Sequence, residues 1–442
     1  MAVCSACAAA MFAAGTPRVT GVSLSCDAET KTVRVDYTLA DAPGVVTFDI
    51  QTNVTGDAWV SVGGKLLAGA WGDVNAYIEG VDETHSIFWR PQLSSPGLEI
   101  GSTEFRAVVT AWPEEAPPDY MVIDLNCSTN PAASLLEGHS FYPSEDQIPG
   151  GIQSREYKVE KLVMRRIPVA PTMKWVMGQS GVNNSTPHYV TLTNSFYMGV
   201  YEVTFAQWEN LCRSLPSSTV NQTFYTNFTD AAVLPACGID FYEVRGSSGL
   251  VGNRWSADVD PAVGRAVDAT YSSRATLIAG LRARTGVLFD LPTEAQWEYA
   301  CRAGSAAAFS SGEAFSDAAC DAVAWYNENS YRESIHAGSI RAVHPVGSKG
   351  VPNAWGLYDM HGNVRELCLD IWVADLGSDD AKEPIGGLKP TSGPVYRSTR
   401  GGSYADTSAN CQSCSRSYTS AAAHYAYNGV RVVCPYPLNL KW

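Results

Sequence analysis

Leu291-Pro292-Thr293-Glu294-Ala295-Gln296-Trp297-Glu298-Tyr299-Ala300-Cys301-Arg302-Ala303-Gly304 is the stretch on which the fold turns. Thr293 followed by Gln296 is a capping box, in which hydroxyl and amide oxygens each accept from a backbone N–H that the first helical turn leaves without a partner. Pro292 precedes the cap, and Thr204-Phe205-Ala206-Gln207 repeats the device. A third helix is predicted from about Ser272 to Thr285, with Leu277, Ile278 and Leu281 on one face and a stop at Gly286. Between these lie long stretches without periodicity, such as 305–350. So few regular elements predict a loop-rich α+β domain from Lys158 to Tyr436, held by aromatic packing and further supported by metal.

Outward from this domain, the composition narrows the classes. The 442 residues carry 31 Lys+Arg against 45 Asp+Glu, a net charge of −14, with only 17% charged and 45% hydrophobic residues. An acidic chain is a poor polyanion binder, so nucleic acid is excluded as the expected partner. The apolar content suffices for real cores, which excludes wholesale disorder. At roughly 100–200 residues per domain, two or three domains are expected.

Residues 18–126 read as short strands. Apolar and polar residues alternate with period two in Thr32-Val33-Arg34-Val35-Asp36-Tyr37-Thr38-Leu39, and Val46, Phe48 and Ile50 repeat the pattern. Later runs are Ser86-Ile87-Phe88-Trp89 and Phe105-Arg106-Ala107-Val108-Val109, separated by turns such as Asp41-Ala42-Pro43-Gly44 and Ser95-Pro96-Gly97. Evenly spaced strands predict an all-β sandwich of immunoglobulin-like type, a spacer without catalytic residues. Residues 127–157 read as a linker and 437–442 as a tail. Residues 1–15 are small and apolar, with Ala13-Ala14-Gly15 suited to a signal-peptidase cut but without a basic n-region. They are read as a truncated signal segment, which places the protein outside the cell or on its surface. No run is long and apolar enough for a membrane span. Twelve cysteines, ten once Cys4 and Cys7 go with the leader, permit disulfides, and Cys26 with Cys127 brackets the sandwich.

Four ordered strings now carry a family resemblance: Phe196-Tyr197-Met198-Gly199 with Tyr201-Glu202-Val203-Thr204; the 291–304 stretch; Asn353-Ala354-Trp355-Gly356-Leu357-Tyr358-Asp359-Met360-His361-Gly362-Asn363-Val364; and Arg400-Gly401-Gly402-Ser403-Tyr404 ahead of Gly429-Val430-Arg431. Over about 160–435 the chain resembles the formylglycine-generating-enzyme (sulfatase-modifying factor) family. The resemblance implies a C-type-lectin-type fold. In the family's enzymes it also implies two cysteines that bind copper(I), because two soft thiolates select that ion. Here the first position is Asp406, a hard oxygen ligand, and the second is Cys411. Copper is therefore disfavoured, and no catalytic residue is assigned. The alternative is a copper-dependent formylglycine-generating or other metal oxidoreductase, which would need Cys411 with Cys414. The seven histidines form no HxxxH or HExxH pair and are read as structural. The family's Gly-Asn-Val-x-Glu segment implies calcium on Asn363 and Glu366, while Trp325 falls where a second calcium site would need Asn.

Residues 405–427 are nearly devoid of large aliphatics and rich in Ala, Ser, Thr, Asp, Tyr, His and Asn. They resemble the variable region of proteins diversified by retroelements, where mutagenesis of adenines in Asn codons yields this set. The positions so assigned are Ala405, Asp406, Thr407, Ala409, Ser415, Ser417, Tyr418, Thr419, Ser420, Ala423, Tyr425, Ala426 and Tyr427. Tyr supplies rigid contact area and Ser and Thr adaptable hydrogen bonds, as in antibody loops. The expectation is a non-catalytic binding protein for a protein or cell-surface ligand, with side chains of 405–427 facing solvent.

Overall fold

The computed structural model describes residues 15–53, 58–94, 105–127, 138–170, 172–217, 227–246, 276–336, 338–382, 384 and 394–436. The expected leader, the Ser95-Pro96-Gly97 turn, residues 272–275 of the third helix and the 437–442 tail fall outside these residues, apart from Gly15. The chain divides into two compact units, 1–123 with 138–154, and 124–137 with 155–442. Of the described residues of the expected linker at 127–157, those from 138 to 154 fall in the first unit and the others in the second. Cys26 falls in the first unit and Cys127 in the second, so they do not bracket one domain.

The first unit is built from β1 (Arg18–Asp27), β2 (Thr32–Ala40), β3 (Gly44–Thr52), β4 (Val60–Ser61), β5 (Ala70–Gly72), β6 (Ala76–Ile78), β7 (Thr84–Trp89), β8 (Phe105–Trp112), β9 (Tyr120–Asp124) and β10 (His139–Tyr142). One sheet runs β1-β2-β7-β5; in the other β3 pairs with β4, β6 and β8. All these pairings are antiparallel. On β2 the predicted alternation holds: Val33, Val35, Tyr37 and Leu39 are buried, while Arg34 donates to Asp36 on the solvent face. They pack with Ile87 and Trp89 of β7 and with Val46, Phe48 and Ile50 of β3 into a core between the sheets. Burying each such side chain contributes about 1.5–3 kcal/mol. β3 is buried on both faces, and its polar Thr47 accepts from Trp112 Nε1 at 2.8 Å. A two-sheet sandwich is therefore observed where strands were predicted.

The second unit contains β11 (Lys161–Ile167), β12 (Lys174–Met177), β13 (His188–Thr191), β14 (Phe196–Gly199), β15 (Tyr331–Ser334), β16 (Gly338–Arg341), β17 (Arg365–Ile371), β18 (Ala381–Lys382), β19 (Tyr396–Arg400), β20 (Arg416–Ser420), β21 (Asn428–Gly429) and β22 (Val433–Pro435). Its main described helices are α1 (Phe205–Cys212), α2 (Phe241–Arg245), α3 (Leu277–Thr285), α4 (Glu294–Arg302) and α5 (Asp317–Val323). Both predicted capping boxes form, at Thr204 and Thr293, and a third forms at Asp240 with Glu243. α3 ends at Gly286, whose φ of 68° is the left-handed conformation a helix stop favours. The stretch 305–350, expected to be irregular, holds α5 and the β15–β16 hairpin. The signal for α5 was weak: its start is fixed by the Ser316 side chain accepting from Ala319 N, not by an apolar stripe.

Every residue of α4 is buried, including Glu294, Gln296, Glu298 and Arg302. Of these, Glu298 faces Arg400 of β19 and Glu294 faces Arg416 of β20, the strands beside the candidate surface.

Candidate functional site

In the strand order β20-β19-β17-β21, residues 416–420 of the 405–427 stretch form one edge of a four-stranded sheet, and β21, which follows directly after Tyr427, forms the other. β19 and β20 pair antiparallel in the register Arg400↔Arg416, Ser398↔Tyr418 and Tyr396↔Ser420. Residues 401–415 form the excursion between them, with a 3₁₀ turn at Ser408–Cys411. Gly402 makes the excursion feasible: its φ is 71°, and a Cβ there would lie 2.7 Å from Cys411 Sγ.

Beneath the surface lies a frame of buried ion pairs. Arg416 donates to both oxygens of Glu294, at 2.6 and 2.8 Å, and to the carbonyls of Asn184 and Val373. Arg400 donates to Glu298 at 2.5 Å and to the carbonyl of Ser415 at 2.9 Å. Burial alone would push the Glu298 carboxyl up, but Arg400 and Arg302 outweigh it and hold it below its ordinary range. Arg431 clamps Glu366 from below β17 and donates to the carbonyls of Gly199, Val200 and Tyr358. Hydrogen-bonded charges of this kind are rigid, because moving either partner leaves a charge unpaired in an apolar interior.

On this frame the expected contact positions divide by pleat and turn. Ala405, Thr407, Ala409, Tyr418 and Tyr425 are exposed; Ser417, Ser420, Ala423, Ala426 and Tyr427 are half-buried. Asp406, Ser415 and Thr419 are buried, which corrects the expectation that all thirteen face solvent. Asp406 accepts from Arg365 Nε at 2.8 Å and from Arg365 Nη2, and from Ser403 Oγ at 2.6 Å. Ser415 Oγ donates to the Ala409 carbonyl at 2.7 Å, and Thr419 Oγ1 accepts from Asn428 Nδ2 at 3.0 Å. These three shape the surface without presenting themselves on it.

Two aromatic groups stand out from the sheet. Tyr418 lies 5.0 Å from Trp372 and 5.4 Å edge-on from Tyr396, with Arg416 4.6 Å over the Trp372 ring. Tyr425 stacks on Tyr427 at 5.2 Å, and Arg365 sits 4.6 Å over the Tyr427 ring. Tyr396 and Trp372 lie outside 405–427, and sequence reasoning missed them. Cross-strand register brings Tyr396, the first residue of β19, to within two pairs of Tyr418, and no local signal in the sequence indicates this.

The metal-ligand expectations meet the geometry less well. Both Glu366 oxygens accept from Arg431, and Oε2 also from Trp297 Nε1 at 2.6 Å. Asn363 Oδ1 accepts from His344 N, and its Nδ2 donates to Glu202. A guanidinium already neutralises the carboxylate that calcium would need, so Asn363 and Glu366 do not fit that ion. Trp325 stacks on His344 at 3.7 Å instead of supporting a second calcium site. For copper, Asp406 offers a carboxylate already engaged by Arg365, and Cys411 is fully buried with its thiol against Cys320. Contact with Cys320 and burial push the Cys411 thiol well up, which disfavours the thiolate a nucleophile or ligand requires. Cys414 faces Gln179, so the two CxxC thiols meet different neighbours. His361 donates from Nδ1 to the Cys411 carbonyl at 2.7 Å and accepts at Nε2 from Ser310 N at 3.1 Å. Burial lowers it to about 4, so it is a neutral structural histidine.

A curated relative, the serine/threonine-protein kinase pkn1 of Chlamydia pneumoniae, is 36% identical over 113 residues, covering 25% of this chain and 15% of the relative. The formylglycine-generating enzyme of Thermomonospora curvata is 33% identical over 132 residues, covering 26% of this chain and 38% of the relative, and that of Mus musculus 32% over 127, covering 26% and 30%. The matches thus span well under half the length of these relatives. Among solved structures, Treponema denticola variable protein 1 aligns over 62% of this chain and 95% of its own, at TM-score 0.45 and 23% identity. PvdO from Pseudomonas aeruginosa aligns over 62% and 94%, at TM-score 0.43 and 21% identity. The model of the sulfatase-modifying factor enzyme 1-like domain matches residues 162–435. With more than half of its length matched by that model, the chain belongs to the sulfatase-modifying factor enzyme 1-like domain family.

Proposed function

We propose that this protein is a non-catalytic recognition protein whose lectin-type domain presents the surface of 405–427, diversified by a retroelement, to a protein or cell-surface ligand. The carrying observation is the pairing of an exposed Tyr, Thr and Ala surface with a rigid frame: Tyr418 and Tyr425 project from strands and turns locked by Arg400, Arg416 and Arg365. Such a division lets the outer positions change without loss of core packing, while rigid tyrosines supply contact area at low entropic cost. The first unit, read as an immunoglobulin-like sandwich, serves as a spacer, and the protein is exported. Among the described residues no helix is long and apolar enough to cross a membrane.

Two experiments test this reading. A near-identical template repeat of codons 400–431 beside a reverse transcriptase, differing only at adenines, supports diversification, and its absence from a complete genome refutes it. Stoichiometric Cu(I) uptake with oxidation of a sulfatase-type cysteine peptide would instead establish the oxidoreductase alternative. The thiol pair to substitute in that case is Cys411 with Cys320, since those two are in contact.

A further inference from the structure

His424, one of the seven histidines that the sequence reads as structural, is the point where three oxygens converge. Its Nε2 lies 3.4 Å from Asp240 Oδ2, 3.4 Å from Glu243 Oε2 and 3.3 Å from Ser217 Oγ. The ligand atoms of Asp240, Glu243 and His424 all lie within 4.8 Å of one another. Each carboxylate divides its work. Asp240 Oδ1 accepts from Glu243 N at 2.7 Å in the cap of α2, and Glu243 Oε1 accepts from Ser217 N at 2.7 Å. The second oxygen of each faces the imidazole, and Glu243 Oε2 also accepts from Asp240 N at 3.4 Å in the cap.

The separations from Nε2 are long for hydrogen bonds and suit a different geometry. A tetrahedral ion with bonds of about 2.0–2.1 Å holds its ligand atoms about 3.3–3.4 Å apart. An ion between the groups would be bound by all three at once. An imidazole with two carboxylates is a mixed nitrogen and oxygen set, which suits zinc over calcium or magnesium. Two carboxylates and a neutral imidazole balance a divalent charge. The site is half-open, because the His424 side chain is 27% exposed while both carboxylates are buried, so an ion can enter from solvent.

We propose that Asp240, Glu243 and His424 form a zinc site, with Ser217 or water in the fourth position. Zinc there would tie the turn after β20 to α2, adding to the backbone bond from Phe241 N to the Ala421 carbonyl. His424 lies within 405–427, between Ala423 and Tyr425, but is not one of the thirteen positions expected to vary, and the assignment holds whether or not that surface recognises a ligand.

The test is titration of the full chain, stripped with a chelator, with zinc alone against a competing fluorescent chelator. One site of micromolar or tighter affinity is expected. His424→Ala should weaken it at least about 100-fold and Glu243→Gln at least about 10-fold. Circular dichroism checks that both variants keep the fold, and His424→Cys, which restores a ligand, should recover most of the affinity. Cobalt in place of zinc should give the intense visible bands of a tetrahedral site without a sulfur charge-transfer band. No saturable uptake up to about 1 mM zinc would overturn the assignment. So would equal uptake by wild type and His424→Ala, or a sulfur band, either of which would place the ion elsewhere.

Discussion

Asp406, which the family resemblance sets at the first copper-ligand position, is the counter-ion of Arg365. Its side chain is 8% exposed and that of Arg365 18%. Asp406→Ala leaves the guanidinium with the Ser417 hydroxyl at 3.2 Å and the Tyr427 ring. Removing one partner of a buried pair costs about 3–5 kcal/mol. The remaining contacts and partial exposure reduce that here, so about 2–3 kcal/mol is expected. Replacing Arg365 as well, by Met, removes the stranded charge, and the double variant should be less destabilised than the sum of the single ones by at least about 1 kcal/mol. Urea denaturation followed by tryptophan fluorescence measures this, as a lower midpoint at unchanged slope. Additivity of the two substitutions within about 0.5 kcal/mol would refute the reasoning, since the pair would then carry no coupling. A library randomised at Asp406 should likewise lose folded members that one randomised at Ala405, Thr407 and Ala409 keeps.

Further expectations can be checked with the same material. Glu298→Gln leaves Arg400 short of a charge partner in a fully buried site and should cost about 3 kcal/mol or more in the same urea assay. Tyr418→Ala, half exposed, should cost no more than about 1.5 kcal/mol in stability while abolishing ligand capture by the surface. Burial raises Asp359 to about 6, above its ordinary 3.8, so it favours the folded state fully below about pH 4 and that contribution is lost as pH rises through 6. Asp359→Asn should flatten the urea midpoint over that window, and an unchanged profile would show the titration lies elsewhere. Adding calcium should leave the melting temperature within about 1 °C, because Arg431 already neutralises Glu366.

Local signals were legible. The Thr204 and Thr293 caps, the alternation on β2 and the stop at Gly286 each depend on residues within four positions of one another, and each was read correctly. The family strings were equally plain, and the model match over 162–435 agrees with them. What stayed hidden was long-range pairing. Nothing near Glu294 indicates that Arg416, more than a hundred residues later, will neutralise it, so a helix with four polar or charged buried residues looked amphipathic at most.

The same contrast governs the candidate surface. Composition alone marked 405–427 as a polar, tyrosine-bearing stretch, because side-chain chemistry is a property of the residues themselves. Which of those side chains reach solvent depended on the pleat of β20 and on Arg365, which draws Asp406 inward; Trp372 and Tyr396 joined the surface only through strand register. Sequence determined the kinds of contact this protein can make. Tertiary structure decided where they meet, because burial, register and ion pairing belong to residues far apart in the chain and near in space.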